Sequence, residues 1–139
     1  MAVWRRAGIL AVAIALAMGL VVAPGSAKKR HKPTGTRWAS SVTLGHPSPT
    51  EFSGHVGSKL AACRRARLVA VYYTDPTTGW TQPLSVQRAA RDGRYQVSLA
   101  APAYAGSYQA VIVKQRISGP QTCKQARSSP VNVQPPPTG

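Results

Sequence analysis

Asp92-Gly93-Arg94-Tyr95-Gln96-Val97-Ser98-Leu99 contains the clearest alternation of polar and apolar residues in this chain. Asp-Gly is a turn dipeptide, and the three apolar residues Tyr95, Val97 and Leu99 alternate with polar ones after it. Successive side chains of a β-strand point to opposite faces of the sheet. The stretch therefore predicts a strand whose Tyr95, Val97 and Leu99 side chains face a core.

Short β-branched runs separated by turn residues continue on both sides of that strand, and no segment has a sustained 3.6-residue period. The predicted strands are 38–44, 51–56, 67–74, 84–88, 94–99, 107–114 and 127–133, with turns at 45–50 and 75–79. The further core residues predicted from alternation are Phe52, Gly54, Val56, Val69, Val71, Tyr108, Ala110 and Ile112. We expect an all-β fold, a seven-stranded antiparallel two-sheet sandwich with Greek-key connections.

The first 27 residues have the order of a secretory signal peptide. Arg5-Arg6 forms a short basic start, an apolar run covers residues 7–23, and small residues precede Lys28. This order predicts a secreted protein cleaved near Ala27-Lys28. An uncleaved N-terminal membrane anchor is the alternative, although seventeen residues reach only about 25 Å across a hydrocarbon core of about 30 Å.

Cys63 and Cys123 are the two cysteines of the chain. In an oxidising compartment an even pair indicates one disulfide. A metal pair and a redox pair are the alternatives, and the long gap between the cysteines, with no histidine close to either, argues against both. In the expected sandwich, the loops that carry Cys63 and Cys123 lie at the same pole.

Composition divides the chain into four segments and gives it a strong positive charge. After the signal peptide come a basic disordered tail over 28–36, the folded domain over 37–133 and a proline-rich disordered tail over 134–139. Without residues 1–27, sixteen Lys and Arg face three carboxylates, which is a formal charge of +13. Such a chain is attracted to polyanions, including nucleic acid, anionic lipid headgroups and acidic wall polymers.

Several short motifs, taken in order, resemble one class of domain. They are the segments 52–56, Cys63-Arg64-Arg65, Asp92-Gly93-Arg94-Tyr95, Gly106-Ser107-Tyr108 and Cys123-Lys124-Gln125-Ala126-Arg127. Over roughly residues 42–133 the chain resembles small secreted immunoglobulin-like or transthyretin-like sandwich domains of actinobacterial type. The resemblance implies a fold and an extracellular location, and it brings no catalytic residues. Cysteines in loops depart from the immunoglobulin pattern of an inter-sheet disulfide packed on tryptophan.

No residue pattern in the chain predicts catalysis, a metal site or a cofactor. His31, His46 and His55 have no metal-ligand spacing, and no glycine-rich phosphate loop is present. A Ser-His-Asp catalytic set could include His55 and Asp75, but no nucleophile motif accompanies them. Asp75 is better explained as a turn residue of the segment 75–79. We therefore predict a protein that is not an enzyme, with no small-molecule substrate.

Two groups of residues are candidates for binding. Trp38, Trp80 and Tyr104 near element ends would suit carbohydrate stacking or single-strand binding if exposed, and partial burial at a sandwich edge is the alternative. The candidate anion-binding residues at the disulfide pole are Lys59, Arg64, Arg65, Arg116 and Lys124. A solvated rim is the alternative for these five cations.

Two functions remain open from the sequence. The first is a secreted binding or structural module at the cell envelope, with an anionic envelope polymer or a protein as its partner. The second is a cationic effector that binds polyanions such as nucleic acid, anionic wall polymer or a membrane surface. Steep weakening with salt would distinguish the second from a shaped protein or sugar site.

Overall fold

The structure, a computed structural model, describes residues 35–137. The predicted signal peptide, most of the predicted basic tail and the last two residues of the proline-rich tail lie outside the described residues. Within residues 35–137, no helix has the length and apolar character needed to cross a membrane.

The described chain forms twelve short strands and one 3₁₀ turn at Ala61–Cys63. The strands are β1 Arg37–Trp38, β2 Ser41–Val42, β3 Gly45–Ser48, β4 Glu51–Gly57, β5 Leu68–Thr74, β6 Thr81–Arg88, β7 Arg94–Ser98, β8 Gly106–Ile112, β9 Gln115–Ser118, β10 Gln121–Cys123, β11 Ala126–Arg127 and β12 Val131–Val133. The fold is all-β, as predicted.

The strands form three sheets. The largest has the order β11-β8-β5-β6, and β12 also pairs with β8. A four-stranded sheet has the order β2-β4-β3, with β7 paired to β4, and a small sheet has the order β1-β10-β9. All pairings are antiparallel except that of β1 with β10, which is parallel.

The core lies between the inner faces of the five-stranded and four-stranded sheets. The rings of Phe52 on β4 and Tyr108 on β8 join the two sheets, with centroids 4.5 Å apart. The buried cluster is Val42, Phe52, Val56, Val69, Val71, Ala89, Tyr95, Val97, Tyr108, Ala110 and Ile112. All the predicted core positions except Gly54 and Leu99, which are half-buried, belong to it. Burial of this apolar surface is the main force that holds the sheets together.

The strand map differs from the prediction in four places. The predicted strand 127–133 is divided into β11 and β12, which both pair with β8. The predicted strand 38–44 is divided between β1 of the small sheet and β2 of the four-stranded sheet. The predicted turn 45–50 contains β3, an edge strand that tolerates Pro47 because its pairing with β4 is irregular. Residues 115–123, expected as a loop, form the hairpin β9–β10. The predicted number of strands, seven, is therefore wrong, and so is the prediction that every pairing is antiparallel.

The predicted disulfide between Cys63 and Cys123 is confirmed. Its Cα atoms are 5.5 Å apart, and both cysteines are completely buried. Cys63 ends the 3₁₀ turn, as a loop position would, whereas Cys123 is the last residue of β10 rather than part of a loop. The bond therefore fastens the small sheet to the segment between β4 and β5.

Candidate anion-binding site

A buried arginine organises the end of the molecule that carries the disulfide. The Arg67 side chain is 1% exposed and precedes β5. Its Nη1 donates to Ser40 Oγ and to the Cys63 carbonyl, both at 3.3 Å. Its Nη2 donates to the carbonyls of Val113 at 2.6 Å and Lys124 at 3.2 Å. Burial lowers the pKa of the guanidinium, and these oxygen acceptors, none of them a carboxylate, satisfy it.

The Arg67 network fixes the two segments on which exposed lysines lie. Val113 immediately precedes Lys114, and the Lys124 carbonyl is itself an acceptor of Arg67. The Lys124 backbone N–H in turn donates to the Trp38 carbonyl at 2.9 Å, which ties β1 to the same place. The buried Arg67 side chain therefore fixes the backbone at the two exposed lysines, Lys114 and Lys124.

The register of the small sheet places four cations on one face. Thr122 on β10 pairs with Arg37 on one side and Arg116 on the other. Side chains alternate along a strand, so the buried Cys123 points inward while Thr122 and Lys124 point outward. Cys123 pairs with Gln115, which puts Lys114, one residue before it, beside Lys124. We call Arg37, Lys114, Arg116 and Lys124, all of them exposed, the basic face.

A small pocket lies on this face. Its volume is about 230 Å³, and its lining consists of Arg37, Lys114, Thr122, Lys124 and Gln125. That volume is below the range of about 300–1,000 Å³ usual for whole small-molecule ligands. The pocket suits one ionic group, with Thr122 and Gln125 adding neutral hydrogen-bonding atoms between the cations.

The three carboxylates of the chain lie elsewhere. Asp75 Oδ1 accepts hydrogen bonds from the backbone N–H groups of Thr78 and Thr77, which lower the pKa of that carboxyl. Asp92 pairs with Arg94 at 3.3 Å, the one salt bridge within residues 35–137. Glu51 belongs to β4, in a different sheet. The cations of the basic face therefore have no carboxylate partner in the described part of the chain.

The five predicted anion-binding residues lie on two segments of the chain, which the Cys63–Cys123 disulfide joins. Arg116 and Lys124 belong to the basic face. Lys59, Arg64 and Arg65 lie at the 3₁₀ turn, where Arg64 Nη1 donates to the Ser58 carbonyl at 2.9 Å. Arg37 and Lys114 were not among the predicted residues. Arg37 follows a basic tail and Lys114 ends an apolar run, and nothing in the sequence indicates that β1 pairs with β10.

The histidines of the described chain serve structural contacts. His46 Nδ1 lies 2.9 Å from the Glu51 carbonyl, and its ring stacks on Phe52 at 4.5 Å. His55 is exposed, with Nε2 2.8 Å from the Asp92 carbonyl oxygen. Among residues 35–137, no three His, Cys, Asp or Glu side chains are grouped so that they could hold a metal ion.

The three aromatic side chains considered for ligand stacking differ in exposure. Trp80 is 63% and Tyr104 is 74% exposed, whereas Trp38 is half-buried. None of the three lines the pocket on the basic face. Other pockets are lined by Tyr72, which the sequence places in an apolar run, and by Tyr95, which it places in the predicted core.

Comparison of the chain with family models, with curated proteins and with solved structures found no match.

Proposed function

We propose that this chain is a secreted, non-enzymatic binding module that holds an anionic polymer on its basic face. Four exposed cations, two on β1 and β9 and two at the ends of β9 and β10, with no carboxylate among them, carry the proposal. Adjacent strands lie about 4.8 Å apart, so several charges of one polymer reach the face together. Like charges at this spacing repel one another, and an anionic ligand relieves that repulsion.

The finer fold belongs to the same proposal. An immunoglobulin-like or transthyretin-like two-sheet sandwich with Greek-key connections is supported by two antiparallel sheets that share one core. A disulfide suits a protein that functions outside the cell. Export through the predicted signal peptide, with release at the cell envelope, would bring the positive domain to acidic envelope polymers.

The test compares two double variants with the same change in charge. Lys114→Ala/Lys124→Ala removes two cations of the basic face, and Lys59→Ala/Arg65→Ala removes two at the 3₁₀ turn. Binding of the secreted protein to duplex DNA, used as a polyanion probe, is measured over a range of salt concentrations.

We expect the first variant to weaken binding and to reduce the salt slope by about 2, because each phosphate contact contributes about 1 to that slope. The second variant should change the slope by much less. Equal losses in both variants would show that total charge, rather than this face, determines binding. Absence of retention on DNA or heparin at low salt would refute the proposal altogether.

A further inference from the structure

A second pocket lies on the outer face of the five-stranded sheet. Its volume is about 370 Å³, within the size range of small-molecule sites. The lining residues are Tyr72, Thr74, Thr81, Gln109, Val111 and Arg127. We call it the tyrosine pocket. It is built on three strands of the sheet and on β11, which pairs with β8.

The register explains why these side chains meet. Tyr72 on β5 pairs with Gln109 on β8, and Thr74 pairs with Thr81 on β6. Val111 pairs with Arg127 on β11. Tyr73 points inward, where its ring packs 5.2 Å from that of Tyr108, so the neighbouring Tyr72 faces outward. Strands, not loops, hold the pocket, and the pairing of β5 with β6 shifts register between Val71 and Tyr72.

The polar atoms of the tyrosine pocket are available to a ligand. Gln109 Nε2 donates to the Ser128 carbonyl at 2.8 Å, which fixes the amide and leaves its oxygen as an acceptor. The hydroxyls of Thr74 and Thr81 share one hydrogen bond of 2.9 Å, so each keeps further capacity. Tyr72 is half-buried and Arg127 is exposed.

The tyrosine pocket adjoins the pocket of the basic face. Gln125 lines the first pocket and Arg127 lines the second. Two residues of extended chain span at most about 7 Å, so the two pockets are close neighbours. A linear ligand with repeating units would contact both.

We propose that the tyrosine pocket binds a carboxylate-bearing sugar ring, and that the ligand of this protein is an acidic polysaccharide. The Tyr72 ring would lie against the apolar face of the sugar, with Gln109 and the two threonine hydroxyls on its hydroxyl groups. Arg127 would pair with the carboxylate. The next acidic groups of the polymer would bind the basic face, so this inference rests on the proposed function and makes it more specific.

A single-stranded nucleic acid is the competing ligand for an aromatic ring beside arginine. Such sites carry successive aromatic platforms on which consecutive bases stack. The tyrosine pocket has one aromatic ring surrounded by two hydroxyls and an amide, which match a ligand rich in hydroxyl groups. These observations favour the sugar.

The test uses titration calorimetry with three probes at near-physiological salt: hexagalacturonate, the neutral maltohexaose, and a single-stranded oligonucleotide of similar charge. The variants are Tyr72→Ala and Arg127→Gln. Their matched controls are Tyr104→Ala, which removes an exposed tyrosine outside both pockets, and Arg91→Gln, which removes an exposed arginine from the turn after β6. Thermal unfolding verifies that each variant is folded, and Arg127 is exposed enough that its replacement should not disturb folding.

We expect hexagalacturonate to bind in preference to the other two probes. Tyr72→Ala and Arg127→Gln should each weaken its binding about tenfold or more, while the controls change it by less than about twofold. Three outcomes would overturn the inference and leave the proposed function intact. They are binding of DNA without binding of hexagalacturonate, an unchanged hexagalacturonate affinity in Tyr72→Ala when Lys114→Ala/Lys124→Ala abolishes it, and equal loss of oligonucleotide and sugar binding in Tyr72→Ala. Binding of no polyanion at all would overturn both.

Discussion

The carbonyl oxygen of Cys63 accepts a hydrogen bond from the guanidinium of Arg67 at 3.3 Å, so the buried cation is bound directly to a residue of the disulfide. The same guanidinium donates to the carbonyls of Val113, which precedes Lys114, and of Lys124. Lys114 and Lys124 both line the pocket on the basic face. Stability at this end of the molecule and the position of the candidate site therefore depend on one side chain.

Replacing Arg67 should be among the most damaging single changes. Arg67→Leu leaves the carbonyls of Cys63, Val113 and Lys124 without their donor, at about 1–3 kcal/mol for each buried group that stays unpaired. We expect a loss of about 3 kcal/mol or more in the free energy of unfolding, measured by urea denaturation. Arg67→Lys keeps the charge without the planar fork and should lose less. Arg65→Leu is the control, because Arg65 is exposed. Similar losses at Arg65 and Arg67 would contradict this account.

Removal of the disulfide should lower stability by about 4 kcal/mol. The bond joins residues separated by 60 positions, and closing a loop of that length removes much of the entropy of the unfolded chain. The Cys63→Ala/Cys123→Ala variant should unfold at lower urea concentration, and reductant should shift the wild type in the same direction. Reductant should leave the double variant unchanged. A wild type that is insensitive to reductant would show that the bond contributes little.

The parts of the fold that sequence predicts are those with local signals. The alternation at Tyr95 and Val97 reports which side of a strand is buried, whatever the strand pairs with, and both residues are in the core. The even number of cysteines and the expected export likewise predict the disulfide without any knowledge of strand pairing. Each of these inferences needed only neighbouring residues or composition.

The basic face depends on a pairing between distant segments, so local patterns do not reveal it. The hairpin β9–β10 is largely polar and has no clear apolar alternation, and β1 joins it from about 85 residues away in the sequence. Arg67 has the same residue type as Arg64 and Arg65 in one short basic segment. The structure shows that Arg67 is buried while Arg65 is exposed.

Gly54 is required by the close approach of the Thr43 carbonyl and of the Tyr95 side chain. The two residues are partners across β4 and β7, and a Cβ atom at Gly54 would lie 2.5 Å from the Tyr95 hydroxyl oxygen and against the Thr43 carbonyl. Gly54→Ala must displace the ring or the backbone, so we expect a loss of about 1–3 kcal/mol in unfolding free energy. The control is Gly45→Ala, where the nearest atom would be the Ser53 carbonyl oxygen at 3.7 Å, an ordinary contact. An equal cost at both glycines would contradict the steric explanation.

Alkaline pH should destabilise the protein through its buried tyrosines. Burial raises the pKa of the Tyr95 phenol, whose hydroxyl donates to the Thr43 carbonyl. Burial, with a smaller contribution from Tyr73, also raises the pKa of Tyr108. A phenol with a raised pKa in the folded state contributes stability that is complete below the unfolded value of about 10 and is lost as pH rises above it, because the unfolded chain releases its proton first.

The measurement is the unfolding free energy as a function of pH, from pH 8 upward, for the wild type and two phenylalanine variants. We expect little pH dependence from these phenols below about pH 10 and a decline above it, at most about 1.4 kcal/mol per pH unit for each phenol. Tyr95→Phe should make that decline shallower, although it loses the hydrogen bond to Thr43 and starts from a lower stability. Tyr104→Phe, at an exposed position, should leave the slope unchanged. The difference between the two slopes tests the burial of Tyr95. Equal slopes would show that its phenol ionises as readily in the folded chain as in the unfolded one.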